Sequence, residues 1–539
     1  MSVASMCRLA LKPTTHSRRH WRTSASLPVR ARMPMQWLVP TWCPEEMRFS
    51  CDRFLRAGLL LAVLAGAACA VQPMADGAAR GEAATMSVWL TQPDSRSRMQ
   101  LQSPAAHPAA ASSVAVQIDP ARRMQRIVGF GASVTDASGG LLQTHLSDSA
   151  RASLLRELFG RSDDGLGLSL TRLTIGASDF SRTHYSLDEP PDGKPDPTLA
   201  HFSVARNRAD VIPVMQQALA INPQLRVMAS PWSPPAWMKS SGSLIGGTLL
   251  PEYEPVLAKY LLRYVDAYAG HGVPIWALTL QNEPGFEPAD YPGMRMPAAQ
   301  RARVIGKHLG PLLAARYPRP LILDWDHNWD EPQQPMQVLA DASAAPHVAG
   351  VAWHCYGGKV AAQSDVHDAY PGKLAILSEC SGGDWEPVRS GGLLWLVRNV
   401  ILDALRHWAS GVVLWNLALD QDNGPHLGGC GTCRGVVTID TRDGTISRND
   451  EYWALAHFSR FVHPGAVRIA SAGEFDGLHH VAFANTDDGS IVLVAVNERR
   501  EALAVNIRIA EAQYAASLPE RSIATVRWSK PQLHPDRSH

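Results

Sequence analysis

Charge is scarce in this 539-residue chain: Asp, Glu, Lys and Arg together make up 19% of it. With 45% hydrophobic residues, that excludes disorder along the whole length and fits a globular protein of more than one domain. No sign dominates, since 51 Lys+Arg face 50 Asp+Glu, but the distribution is uneven. Residues 1–70 hold 10 of the basic and 3 of the acidic side chains, which leaves 41 against 47, or −6, for the rest. A surface of that sign argues against nucleic acid as a partner. Long hydrophobic runs are also missing. The most apolar stretch, 57–68, is too short to cross a bilayer.

That stretch follows Arg48, Arg53 and Arg56 and ends in Ala68-Cys69-Ala70, which is the grammar of a secretory signal: basic start, apolar middle, small-residue cleavage site. A signal belongs at a chain start, so Met47 reads as the true initiator, and the mature protein is expected outside the cytoplasm, periplasmic or extracellular. Lipid anchoring at Cys69 is the competing reading, weakened by Gly66 where an aliphatic residue belongs. Of eight cysteines, four remain after cleavage: Cys355, Cys380, Cys430 and Cys433. In an exported chain Cys430 and Cys433 can close a small disulfide loop, whereas Cys355 and Cys380 read as buried thiols or as a second pair. Only one close pair exists, so a four-cysteine zinc site is not expected.

The residues divide into a leader (1–70), a linker with one or more strands that join a β-sandwich (71–120), a catalytic barrel (121–464), a β-sandwich (465–530) and a tail (531–539). Within 121–464, short apolar runs at 126–132, 167–176, 225–230, 275–281, 321–325, 350–356, 374–379 and 411–417 alternate with helical patterns. In 251–270, for example, Leu257, Tyr260, Leu261, Tyr264, Val265 and Tyr268 recur at helical spacing, and Gly270 offers a left-handed stop. Eight such alternations predict an α/β fold, a (β/α)8 TIM barrel. After Pro464 the pattern changes to strands at 467–470, 479–485, 491–497, 502–509 and 522–528. They predict a sandwich completed by N-terminal strands at 114–118 and 86–91.

Reacting groups of such a barrel sit where the strands end. The fourth run ends in Gln281-Asn282-Glu283-Pro284 and the seventh in Ser378-Glu379-Cys380. Strands four and seven face each other across the ring, so Glu283 and Glu379 can flank one glycosidic bond. A gap of about 5 to 5.5 Å favours retention and about 6.5 to 9.5 Å inversion. Other strand ends carry Trp232, Trp325 between Asp324 and Asp326, His354, Tyr356, and Trp415 beside Asn416. That combination suits a sugar, whose CH face packs on aromatics while its hydroxyls need polar partners. His354 also raises a metal-dependent hydrolase, but no second rim histidine stands at a convincing spacing, and it reads as a partner that orients a carboxylate. Gly129-Phe130-Gly131 reads as tight backbone packing rather than a phosphate cradle.

At these positions the chain resembles glycoside hydrolase family 30, the glucosylceramidase family. The similar segments are GFGASVTD (129–136), RLTIGASDFS (172–181), ASPWSPPAWMK (229–239), QNEP (281–284), HCY (354–356), SEC (378–380) and WNLAL (415–419). The resemblance implies a retaining β-glycosidase that needs no cofactor, with Glu283 as general acid/base and Glu379 as nucleophile. It places Arg172, Asp179, Trp232, Asn282, Tyr356 and Trp415 around the first sugar. Asp179 would accept from outer hydroxyls, Asn282 would contact the 2-hydroxyl, Trp232 and Trp415 would wall the ring, and Arg172 and Tyr356 would keep Glu379 ionised. Glu283 should then have a raised pKa. The expected activity is that of a glucosylceramidase-type β-glucosidase, with an endo-β-1,6-glucanase of the same family, or a non-catalytic carbohydrate-binding protein, as alternatives. His426 and the Cys430/Cys433 loop depart from the glucosylceramidase pattern on the leaving-group side, so the aglycone is left open.

Overall fold

The computed structural model describes residues 85–93, 97–102, 114–162, 164–385 and 392–529. The leader, with Met47 and Cys69, the start of the linker and the 531–539 tail lie outside the described residues.

Eight parallel strands form the ring: β1 (Gly129–Ser133), β2 (Leu170–Ile175), β3 (Arg226–Pro231), β4 (Ile275–Thr279), β5 (Leu321–Trp329), β6 (Val348–Gly358), β7 (Leu374–Glu379) and β8 (Ala409–Asn416). From β2 to β8 each pairs with the next, and β8 pairs with β1. The ring closes between β1 and β2, where Ser169 N–H donates to Phe130 O at 3.0 Å and Val134 bridges Leu173. Closure there depends on Gly131. A Cβ at that position would sit 1.7 Å from Leu170 O, which is the close backbone approach read from the sequence. Inside the ring Val128, Leu170, Met228, Ala277, Leu323, Ala352, Ile376 and Val413 fill the floor as one buried cluster, so the barrel is packed and its chemistry is confined to one end.

The helices cover the outside. Ser147 caps the helix Asp148–Phe159 by accepting from Ala150 N–H. The helix Glu254–Gly270 buries the tyrosines and leucines expected of it, but its stop lies two residues later than expected. Gly272 takes the left-handed conformation (φ 76°), and Val273 N–H returns to Tyr268 O at 2.9 Å. The helical pattern expected at 391–407 is helical from Gly392 to Arg406, with a wider π turn over Leu396–Leu402.

The sandwich is one curled nine-stranded sheet. Its order is Ala512–Leu518, Leu503–Ile509, Val114–Arg126, Val467–Ala472, Leu478–Ala484, Ile491–Asn497, Ser522–Ser529, Thr85–Thr91 and Gln100–Gln102. Two boundaries differ from expectation. Val114–Arg126 runs on past position 121 as a sandwich strand paired with Val467–Ala472, so the barrel begins only at Gly129. Ala512–Leu518 is an additional strand, alanine-rich and partly exposed at the sheet edge, without the apolar alternation that marks a strand in sequence. Central strands are buried on both faces: Leu493 and Ala495 point into the sandwich core, Val492, Val494 and Val496 into the barrel's outer core. That accounts for the unbroken apolar run of 491–496. Among the described residues, no helix is long and apolar enough to cross a membrane.

Candidate active site

The β4 chain leaves the ring at Thr279, and within four residues Asn282 N–H donates to Pro231 O and Glu283 N–H to Asp326 O. These bonds hold Glu283 in a left-handed conformation (φ 48°), an unusual state for a non-glycine residue that the surroundings must impose. Glu379 is the last residue of β7, in register with His354 on β6. One oxygen of Glu283, one of Glu379 and a nitrogen of His354 all lie within 4.8 Å of one another. The carboxylate pair is thus closer than the separation that admits a water between them.

Arg172, on β2, is completely buried beneath this pair. Its Nη1 donates to Glu379 Oε2 at 2.6 Å, and its Nη2 donates to Asn282 Oδ1 at 2.6 Å and Asp326 Oδ2 at 2.7 Å. Tyr356 Oη donates to the other Glu379 oxygen at 3.0 Å. Asp179, Trp232, Asn282, Glu283, Tyr356, Glu379 and Trp415 line one cavity of about 350 Å3; Arg172 is not part of the lining and acts on it through Glu379 and Asn282. The tryptophans stack on each other, ring centroids 5.0 Å apart and 19° from parallel, and form a single wall rather than two sides of a slot. Tyr291, Trp385, Gly429, Cys430 and Cys433 complete the lining, and no sequence signal marked the first three. Gly429 (φ 67°) allows the loop to touch Asp179, since a Cβ there would lie 2.6 Å from Asp179 Cβ.

Two rim residues point elsewhere. Asp324 is paired with Arg301 at 2.9 Å on the outer side of the ring, and Trp325 is buried, its Nε1 donating to Asn328 O at 2.8 Å. Asp326 reaches inward instead. It accepts from Arg172, Ser230, Thr279, Ser378 and His354, below the sugar-sized space rather than in it. Behind Glu283 lie His354, with Nδ1 3.0 Å from Glu283 Oε1, and His327, with Nε2 at 3.8 Å.

The protonation pattern reverses part of the expectation. Burial raises the Glu283 pKa, but the bond to His354 and the charges of His354 and His327 outweigh it, so the pKa is lowered rather than raised. Glu379 is raised by burial and by the charges of Glu283 and Asp326, against the pull of His354 and Arg172. Asp179 is pushed well above the carboxylate range by burial and by the charges of Glu379 and Glu283, which favours its neutral form, a donor as well as an acceptor. His354 would be lowered by burial alone, yet Glu379, Asp326 and Glu283 raise it to about 10. An imidazolium has no lone pair to offer a metal, so the Glu283, His354 and Glu379 cluster does not suit a cation.

Both open alternatives for the cysteines resolve as disulfides. Cys355–Cys380 joins the ends of β6 and β7, and Cys430–Cys433 closes the loop that lines the cavity.

Residues 127–462 match the glycosyl hydrolase family 30 TIM-barrel domain, and residues 465–526 match the family 30 β-sandwich domain. The chain is 34% identical over 426 residues to endo-1,6-beta-D-glucanase neg1 of Aspergillus fumigatus, covering 74% of this chain and 84% of that one. It is 29% identical over 441 residues to lysosomal acid glucosylceramidase of Mus musculus, covering 77% and 83%. Among solved structures, the endo-beta1,6-glucanase BT3312 superposes with a TM-score of 0.76 at 30% identity, covering 83% of this chain and 99% of that one. With barrel, sandwich and facing glutamates in place, the chain belongs to glycoside hydrolase family 30 and is a glycoside hydrolase.

Proposed function

We propose that this protein is an exported endo-β-1,6-glucanase that cleaves by double displacement, Glu379 acting as nucleophile and Glu283 as acid/base. The observation that carries the chemistry is the approach of the two carboxylates and His354 to within 4.8 Å, with Arg172 and Tyr356 aiming Glu379. In the first step a Glu379 oxygen bonds to the anomeric carbon while the leaving oxygen is protonated from Glu283. In the second, water deprotonated by Glu283 releases the sugar. Asn282, its Oδ1 held by Arg172, offers amide N–H groups to the 2-hydroxyl, Asp179 meets the outer hydroxyls, and the stacked Trp232 and Trp415 take the ring's CH face.

The substrate reading follows the names of the glucanases to which the chain is similar, and it displaces the glucosylceramide expected from the sequence, which the less similar glucosylceramidase supports. Trp385 and Tyr356, 42% and 47% exposed at the cavity, provide platforms for a further glucose unit. Export fits the leader pattern and the two disulfides. The test is digestion of a β-1,6-glucan in deuterated water. A ladder of β-1,6 oligosaccharides with the β-anomer first is expected, and Glu379→Gln should show none of it. Glucose alone, or the α-anomer first, overturns the reading. Cleavage of glucosylceramide with the glucan untouched restores the lipid substrate.

A further inference from the structure

His354 is completely buried and has a carboxylate on each ring nitrogen: Glu283 Oε1 lies 3.0 Å from Nδ1 and Asp326 Oδ1 3.2 Å from Nε2, with Glu379 Oε2 3.9 Å from Nε2. The other charged or titratable groups packed here are Arg172 from β2, which bonds Asp326 and Glu379, His327 from β5, edge-on at 6.2 Å between centroids, and Tyr356 from its own strand at 6.0 Å. Three carboxylates therefore surround one imidazole, against a single guanidinium. Both nitrogens of such a ring can donate only when both carry protons.

We propose that His354 stores the proton that Glu283 delivers to the leaving group, and that the charge on Glu379 times its release; this rests on the roles given above to the two glutamates. In the free enzyme His354 is an imidazolium, and Glu283 and Glu379 are carboxylates. As a Glu379 oxygen forms its bond to the anomeric carbon, the bond to the leaving oxygen breaks. Glu283 takes the Nδ1 proton of His354 and passes it on to that oxygen, ending the step as a carboxylate again. The negative charge of Glu379 and the positive charge of His354 disappear together, leaving neutral His354 with its Nε2–H on Asp326. In the second half water attacks the anomeric carbon and the ester bond breaks. The water's proton passes through Glu283 to Nδ1, and Glu379 departs as a carboxylate. Losing an anion 3.9 Å from Nε2 makes the ring acidic when a proton is needed, and its return makes the ring basic when one must be accepted. His354 touches no substrate; it is a positioning residue, and what it positions is a proton.

The experiment is nitrogen-15 NMR of histidine-labelled wild-type protein, free and after reaction with the 2-deoxy-2-fluoro-β-glycosyl fluoride of a β-1,6-linked glucose disaccharide, with peptide mass spectrometry to locate the sugar. The expected result is an imidazolium signal that survives at pH 9 in the free enzyme and becomes that of a neutral ring, protonated on Nε2 only, once Glu379 carries the label. His354→Gln should also move the basic limb of kcat/KM to lower pH by about two units or more, because Glu283 must then hold the proton alone. A merely structural role would lower the rate equally at every pH. Labelled Glu379 with His354 unchanged overturns the proton store and leaves the two-glutamate reading intact. Sugar on another residue, or none bound, overturns that reading and the store with it. Should His354→Gln not fold, the wild-type spectra decide alone.

Discussion

Five side chains converge on Asp326: Arg172, Ser230, Thr279, His354 and Ser378. Burial alone would raise its pKa, yet Arg172, His354 and Ser230 hold it well below the carboxylate range. Asp326→Asn removes the charge shared by a buried guanidinium and a buried imidazolium. It should destabilise the fold by about 3 to 5 kcal/mol and reduce turnover, measured by denaturant unfolding and by glucan hydrolysis. An unchanged unfolding midpoint would show that the hydroxyl donors suffice. Glu283 and Glu379 were legible in the sequence because each ends an apolar run with a carboxylate. Asp326 was legible only as a rim residue, because period-two alternation puts Asp324 and Asp326 on one side of a strand. Trp325 and Asp326 are both left-handed (φ 77° and 53°), and the pairing of β5 with β6 shifts register there, so the two carboxylates part, one to Arg301 and one to the site. The lowered Glu283 pKa was likewise hidden, because it depends on His327 and His354, which reach it from other strands.

At the scale of elements, the register of β6 on β7 sets Glu379 beside His354 and so brings Cys355 and Cys380 together, although 25 positions separate them in the chain. Spacing carries no trace of that neighbourhood, which is why a thiol pair and a disulfide stood equal at the sequence level. The bridge fastens the residue between His354 and Tyr356 to the residue after Glu379. Replacing both cysteines with serine should cost about 3 kcal/mol of stability, the entropy of a loop this long, and should lower kcat more than KM as Tyr356 loosens from Glu379. Unfolding and steady-state kinetics of the variant check both parts; an unaltered kcat would show that Tyr356 holds its place without the bridge. Barrel strands were readable because each is apolar on both faces and followed by a helical period. The π turn at Leu396–Leu402 was not, since two turns of apolar residues fit either helical pitch.

Over the whole molecule, barrel and sandwich share a core through the helix Asp450–Ser459, whose His457 meets the sheet. Its Nδ1 bonds Thr525 Oγ1 at 2.9 Å, and burial lowers its pKa to about 3. A histidine that stays neutral in the fold but titrates near 6.5 in the unfolded chain leaves stability intact above that pH and removes it as pH falls from about 6.5 to about 3. The loss amounts to roughly 5 kcal/mol at most. His457→Gln should flatten this acid limb in unfolding curves recorded between pH 4 and 7, and an identical slope would place the titrating group elsewhere. That the sandwich draws strands from both sides of the barrel was readable from the strands at 86–91 and 114–118. Where the sheet gives way to the ring was not, because Val114–Arg126 runs to within three residues of β1.

The order of that sheet bears on how the chain matures. Ser522–Ser529, the last of the described strands to leave the ribosome, lies between Ile491–Asn497 and Thr85–Thr91, the first of them. Until it emerges, the opening strand lacks its neighbour on that side, and the layer packed on the ring lacks Ile523. A polypeptide arranged in this way cannot complete its sheet until synthesis has passed residue 529.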